Sequence, residues 1–136
     1  MSQSEREAAT APSGYAKHIG VEWLDLDPNG ARARIEVKPH HLQPNGIVHG
    51  GVYASLAESL SSAATHVAVM DEGKVAIGQG NSTTFLRPIS GGHVNARAVA
   101  RHRGSTTWVW DVELTDNDDR TCALVRMTIA VRERRD

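Results

Sequence analysis

Residues 43–70 read QPNGIVHGGVYASLAESLSSAATHVAVM, and the reading of this stretch decides the architecture. Val52, Leu56, Leu60 or Ala63, and Val67 recur at helical spacing, and Tyr53, Ala57 and Ala64 widen the apolar face. Ser55, Glu58, Ser59, Ser62 and His66 fall opposite. The spacing predicts one helix from about residue 50 to residue 70, and no other segment carries a helical stripe. The flanking sequence alternates instead. Ile19, Val21 and Trp23 lead to the turn chemistry of Asp27-Pro28-Asn29-Gly30. Ala31, Ala33, Ile35 and Val37 then alternate with Arg32, Arg34, Glu36 and Lys38, the pattern of a half-buried hairpin strand. Four more strands are expected at about residues 75–87, 92–103, 106–115 and 121–132, antiparallel and joined by short turns. The fold class is therefore α+β. A helix is about 10 Å across and strands lie about 4.8 Å apart, so one helix covers about two strands of a flat sheet. The sheet must curl around the helix or leave an apolar face for a second subunit.

Composition narrows the functional classes. The 136 residues fit one domain. With 15 Lys and Arg against 16 Asp and Glu the net charge is -1, which gives no electrostatic footprint for nucleic acid. The lone Cys122 excludes an intrachain disulfide framework and a cysteine-rich zinc site, and no run of about 20 apolar residues suggests a membrane span. Residues 1–16 lack a basic start and an apolar core, so a cytoplasmic protein is expected. Without periodicity, these sixteen residues are expected to be a flexible tail ahead of a domain at 17–136. The only aromatics are Tyr15, Trp23, Tyr53, Phe85, Trp108 and Trp110, few for a chain that stands alone. Trp108 and Trp110 share a strand face, and a second subunit is expected to complete that face.

The chemistry concentrates around His49-Gly50-Gly51 and Glu58. The first N–H groups of a helix have no intrahelical acceptor, carry partial positive charge and can hold a developing oxyanion. Glycine lets a substrate carbonyl approach that backbone. Thioester hydrolysis needs such donors and a nucleophile or base. It scarcely needs a general acid, because a thiolate of pKa about 8.5 leaves unaided. Glu58 follows Gly50 by eight residues, about 12 Å along one helix, too far for both to reach one carbonyl. Either one of them is a bystander or the site is shared between two chains. Each residue also has a plainer reading: Glu58 as a solvated surface charge, His49 as a cap, Gly50 and Gly51 as a tight turn, Ser62 as a helix serine bonded to its own backbone. The histidines, His40-His41 included, make no metal-ligand pattern, and no metal or separate cofactor is expected.

Five motifs in register resemble the hotdog-fold thioesterases, and among them the Arthrobacter-type 4-hydroxybenzoyl-CoA thioesterases: GxVHGGxYxxLAE at 46–58, FxRP at 85–88, GHV in the 91–94 region, GSTTWxWDVxL at 104–114 and IAVRxRRD at 129–136. The resemblance implies an antiparallel sheet wrapped around one long central helix and hydrolysis of an acyl-CoA, with aryl-CoA preferred and 4-hydroxybenzoyl-CoA the leading candidate. It implies sites at a homodimer interface and further assembly to a tetramer. By this resemblance Gly50 polarises the carbonyl, Gln43 and His49 orient the thioester, Glu58 of the partner attacks or activates water, and Ser62 places that water. Arg87, Ser105, Thr106 and Arg135 match coenzyme A contacts, and guanidinium groups suit phosphate recognition. Ala63 stands where that branch has an acidic residue near the acyl pocket, so a ring hydroxyl lacks that partner here. The rival readings are an acyl-CoA hydratase or dehydratase of the same fold, which needs an acid–base pair at the acyl α and β carbons that nothing beyond Glu58 and His49 offers, and a non-catalytic acyl-CoA binding module. A panel of thioesters assayed for freed thiol separates them.

Overall fold

A computed structural model of the chain describes residues 1–135; Asp136, which ends both the expected domain and the last motif, lies outside the described residues. The elements in order are α1 (Gln3–Ala9), α2 (Gly14–His18), β1 (Val21–Leu26), β2 (Gly30–Glu36), α3 (Gly50–Val69), β3 (Lys74–Phe85), β4 (His93–Arg103), β5 (Thr107–Thr115) and β6 (Thr121–Glu133). The six strands form one antiparallel sheet in the order β1-β2-β4-β5-β6-β3.

The sheet curls until α3 touches every strand. Small residues make this possible: Ala31 and Ala33 of β2 and Ala96 and Ala98 of β4 are buried and let the helix approach closely. Irregularities in register on β1, β3, β4 and β6 add twist where the sheet must bend. Leu56, Leu60 and Val67 of α3 pack into the hollow against Val112, Leu114, Met127 and Ile129.

Two expectations are corrected. Trp108 and Trp110 do not await a second subunit. They stack 6.1 Å apart inside this chain's own core, because alternation turns them with Val112 and Leu114 toward α3. Trp110 Nε1 donates to Thr65 Oγ1 at 2.8 Å, so α3 also supplies the indole's polar partner. The first sixteen residues are not without regular structure. Ser2 Oγ caps α1 by accepting from Glu5 N–H, Arg6 pairs with Asp71 beyond the end of α3, and Trp23 Nε1 donates to the Thr10 carbonyl at 3.0 Å. Neither short helix buries a residue, so no apolar stripe marks them in sequence.

The strand that does lack cover is β3. It forms the edge of the sheet beyond β6, and none of its twelve residues is buried. Ile77 and Phe85 are more than half exposed along it.

Candidate active site

The loop leading into α3 is built by its own backbone. Gln43 N–H donates to Ile47 C=O at 2.8 Å and Gly46 N–H to Gln43 C=O at 2.9 Å. Gly46 closes this turn at φ +79°, a conformation that favours glycine. His49 N–H then bonds His41 C=O, and Val48 N–H bonds Ile89 C=O, which seats the loop against the body.

His49 is the N-cap of α3. Its Nδ1 accepts from Gly51 N–H at 2.9 Å and its carbonyl accepts from Val52 N–H at 2.9 Å. With Nδ1 committed to the cap, Nε2 is the ring nitrogen left to face a ligand. The cap consumes the Gly51 and Val52 donors. Among the described residues the Gly50 N–H has no acceptor and is left free at the positive end of a 20-residue helix. Gln43 is oriented in a similar way. Its Oε1 accepts from Asn45 N–H at 2.7 Å, which leaves the Nε2 hydrogens as donors.

Gln43, Gly50, Tyr53, Phe85 and Arg87 line one cleft of about 440 Å³. The Phe85 ring lies so close over Gly50 that a Cβ there would come within 2.7 Å of it. Tyr53 forms the inner wall, its ring 6.0 Å from Phe85. Its hydroxyl is buried without a partner in hydrogen-bond geometry, although the Ile89 backbone comes near, and burial pushes its pKa up to about 12. Tyr53 is thus a protonated wall and not a base. The buried Cys122 is also no nucleophile, since burial raises its thiol and its S–H is spent on Arg120 C=O.

Glu58 opens into a different cleft, of about 410 Å³, with Tyr15, Ala54, Ser55, Ser59 and Asn81. Among the described residues it makes no ion pair. Its carboxyl leans sideways onto β3, where a Cβ on Gly78 would meet Glu58 Oε2 at 3.0 Å. Glu58 thus faces the free sheet edge and not the helix N-terminus, so one chain holds the donors and the carboxylate in separate hollows. Ser62 is half-buried one turn beyond Glu58 and lines neither cleft.

The coenzyme A candidates do not converge within one chain. Arg87 lies beside the start of β6, where its N–H bonds Cys122 C=O. Thr106 lies at the far end, its carbonyl accepting from Val131 N–H. Nine residues of strand, about 30 Å, separate the two places. Ser105 is in the same hairpin beside Lys74 and Arg103, and Arg135 is exposed just past β6. A larger hollow of about 600 Å³ on the exposed face of the sheet holds the Arg101–Asp111–Arg126 ion pairs and none of these residues.

Sequence reasoning did not single out Phe85, Asn81 or Tyr15 for the site. The ring over Gly50 and the Asn81 Nδ2 bond to Ala54 C=O join positions 27 or more residues apart, which no local period reveals.

One long helix wrapped by a six-stranded antiparallel sheet, with a free glycine N–H at its start, defines a hotdog-fold protein. The family model of the thioesterase superfamily matches residues 45–123. A candidate esterase of Mycobacterium tuberculosis is 40% identical over 111 residues, covering 80% of this chain and 79% of its own. The proofreading thioesterase EntH of Cronobacter turicensis is 31% identical over 123 residues, covering 90% and 89%. The crystal structure of a Haemophilus influenzae thioesterase superposes with a TM-score of 0.86 at 28% identity, over 98% of this chain and 92% of that one. The chain belongs to the thioesterase superfamily and is a thioester hydrolase.

Proposed function

We propose that the protein hydrolyses acyl-CoA thioesters, aryl-CoA by preference, at two sites each shared between two copies of the chain. The observation that carries this reading is the pair of contacts along β3: Phe85 lies on Gly50 and Gly78 lies on Glu58. The outer edge of β3 is free, and two such edges can pair antiparallel about a two-fold axis. A register that sets Phe85 opposite Gly78 of the second copy passes the axis beside Asn81 and Ser82. It puts the donors of one chain next to the Glu58 carboxylate of the other, across a strand spacing of about 4.8 Å. The same pairing carries the start of the second β3, with its neighbours Ser105, Thr106 and Arg135, toward Arg87. That gathers the four residues assigned to the coenzyme A moiety.

In this arrangement the Gly50 N–H and the Gln43 amide donate to the thioester oxygen as it gains charge. His49 acts by holding the helix start. Glu58 of the second copy either attacks the acyl carbon, expelling the coenzyme A thiolate and leaving an anhydride that water then hydrolyses, or takes a proton from a water that attacks the acyl carbon and expels the thiolate. In both cases Ser62 is the residue proposed to place the water. 4-Hydroxybenzoyl-CoA is the first substrate to test, although Ala63 offers its ring hydroxyl no partner. A single buried, unpaired cysteine fits a cytoplasmic setting, and a pair of dimers is the assembly proposed.

The experiment is a panel of aryl- and alkyl-CoA thioesters with colorimetric detection of freed thiol, beside sedimentation of the same samples. We expect turnover by a dimer or tetramer, and a loss of orders of magnitude in Glu58→Ala with assembly and Tm retained. Unchanged turnover in that variant removes Glu58 from the mechanism.

A further inference from the structure

The walls of the Glu58 cleft are unequal. Ala54, Ser55, Ser59 and Asn81 are small or polar, and only Tyr15 brings a large apolar surface. The polar groups are also largely engaged. Asn81 Nδ2 donates to Ala54 C=O at 3.0 Å and its Oδ1 accepts from Thr83 Oγ1 at 2.7 Å. Ser55 Oγ shares a hydrogen bond with the Tyr15 hydroxyl at 3.0 Å.

That last bond is one of two holds on Tyr15. It ties the tip of the ring to α3, while the residue as a whole stays 62% exposed and so keeps ring surface free. The backbone beneath it is fixed as well. Ile19, just past α2, is buried, its N–H bonds Tyr15 C=O at 3.0 Å, and its carbonyl accepts from His41 Nε2 at 2.7 Å. His41 belongs to the same loop that positions Gln43 and His49. The segment that sequence suggested was a tail therefore holds an aromatic ring in place at the mouth of the carboxylate's cleft.

We propose that Tyr15 is a specificity-determining residue, on whose ring a planar aryl acyl group stacks while Glu58 reaches the acyl carbon. The proposal rests on the reading of Glu58 as the residue that attacks or activates water. A flat acyl group gains contact with the ring face that a short alkyl chain, meeting mostly hydroxyls and an amide, does not. The ring and not its hydroxyl makes the selection, the hydroxyl serving only to steady it. Tyr15 does not touch the reacting bond, so its effect belongs in KM and not in kcat.

The test compares wild type, Tyr15→Phe and Tyr15→Ala with benzoyl-CoA and butyryl-CoA as substrates. Calorimetric titration of the non-hydrolysable thioethers benzyl-CoA and butyl-CoA runs beside it. Stacking of this kind is worth about two- to tenfold in affinity. Tyr15→Ala is expected to raise KM for benzoyl-CoA and weaken benzyl-CoA binding by that factor, with kcat and both butyl ligands unchanged. Tyr15→Phe is expected to behave as wild type. Equal losses on aryl and alkyl ligands, no loss on either, or a Phe variant as poor as Ala overturns the proposal. If wild type hydrolyses neither thioester, the functional reading fails, and the two thioether titrations still decide the role of Tyr15.

Discussion

Gly50→Ala tests the helix-start donor directly. A Cβ at this position falls 2.7 and 2.8 Å from two Phe85 ring carbons, about 1 Å inside ordinary carbon contact. Phe85 is 56% exposed, so its ring can swing outward, and the cost in stability stays within the about 1–3 kcal/mol of a mild overpacking. Under the proposed mechanism the methyl also crowds the approach of the thioester oxygen to the Gly50 N–H. A displacement of about 1 Å in reacting geometry costs about 10²-fold in rate. The two effects are separable with Phe85→Ala, which removes the ring and leaves the N–H untouched. Four proteins (wild type, each single variant and the double) are compared for kcat by thiol release, for Tm, and for assembly by sedimentation. The double variant is expected to regain the Tm lost in Gly50→Ala relative to its own Phe85→Ala parent, while kcat stays about 10²-fold low. Recovery of kcat in the double variant would refute the reasoning, because Gly50 would then matter only for packing.

Three further outcomes follow from particular contacts. His41 is buried and bonds through both ring nitrogens, accepting from Lys38 N–H and donating to Ile19 C=O, which only the neutral ring can do. Burial, and then the neighbouring His40 and Lys38, lower its pKa. Its stabilising contribution is therefore complete above its unfolded value of about 6.5 and falls away as the pH drops through the depressed folded value. His66, depressed by burial and by Arg134, acts in the same direction. Tm measured from pH 8 to 5 should fall in wild type and fall less steeply in His41→Asn, whereas parallel curves contradict the assignment. Arg87→Ala should raise KM for acyl-CoA thioesters more than it lowers kcat, and the reverse split argues against a phosphate contact. Leu60→Ala, at a fully buried position of α3, should cost about 2–5 kcal/mol in urea unfolding. A loss under about 1 kcal/mol contradicts its place in the core.

Much of the fold is legible in the sequence because most elements obey a single period. Ala31, Ala33 and Ile35 or Trp108, Trp110 and Val112 alternate cleanly, and α3 announces itself by its stripe and its glycine start. α1 and α2 do not, since they bury nothing and are held by a cap, an ion pair and single backbone bonds. β3 was legible in extent but not in environment. Its alternating residues face a surface that one chain does not cover. The site divides in the same way. His49, Gly50 and Glu58 stand out because helix geometry assigns them positions, and their spacing along α3 already separates donor from carboxylate. The role of His49 as a cap and the orientation of the Gln43 amide depend on hydrogen bonds that only coordinates display. Phe85 over Gly50 and Tyr15 beside Glu58 come from distant parts of the chain brought together by folding.

The shared site is tested most directly by mixing two impaired proteins. Glu58→Ala keeps the donors and lacks the carboxylate; Gly50→Ala keeps the carboxylate and has its donor blocked. Mixed in equal amounts under subunit exchange, half of the dimers are hybrids by random pairing, and each hybrid has one intact site. The account predicts that thiol release rises from the near-zero level of either variant to about a quarter of the wild-type rate. A mixture that stays at the level of its parents, with exchange shown by mass, contradicts it and places both halves of the chemistry in one chain.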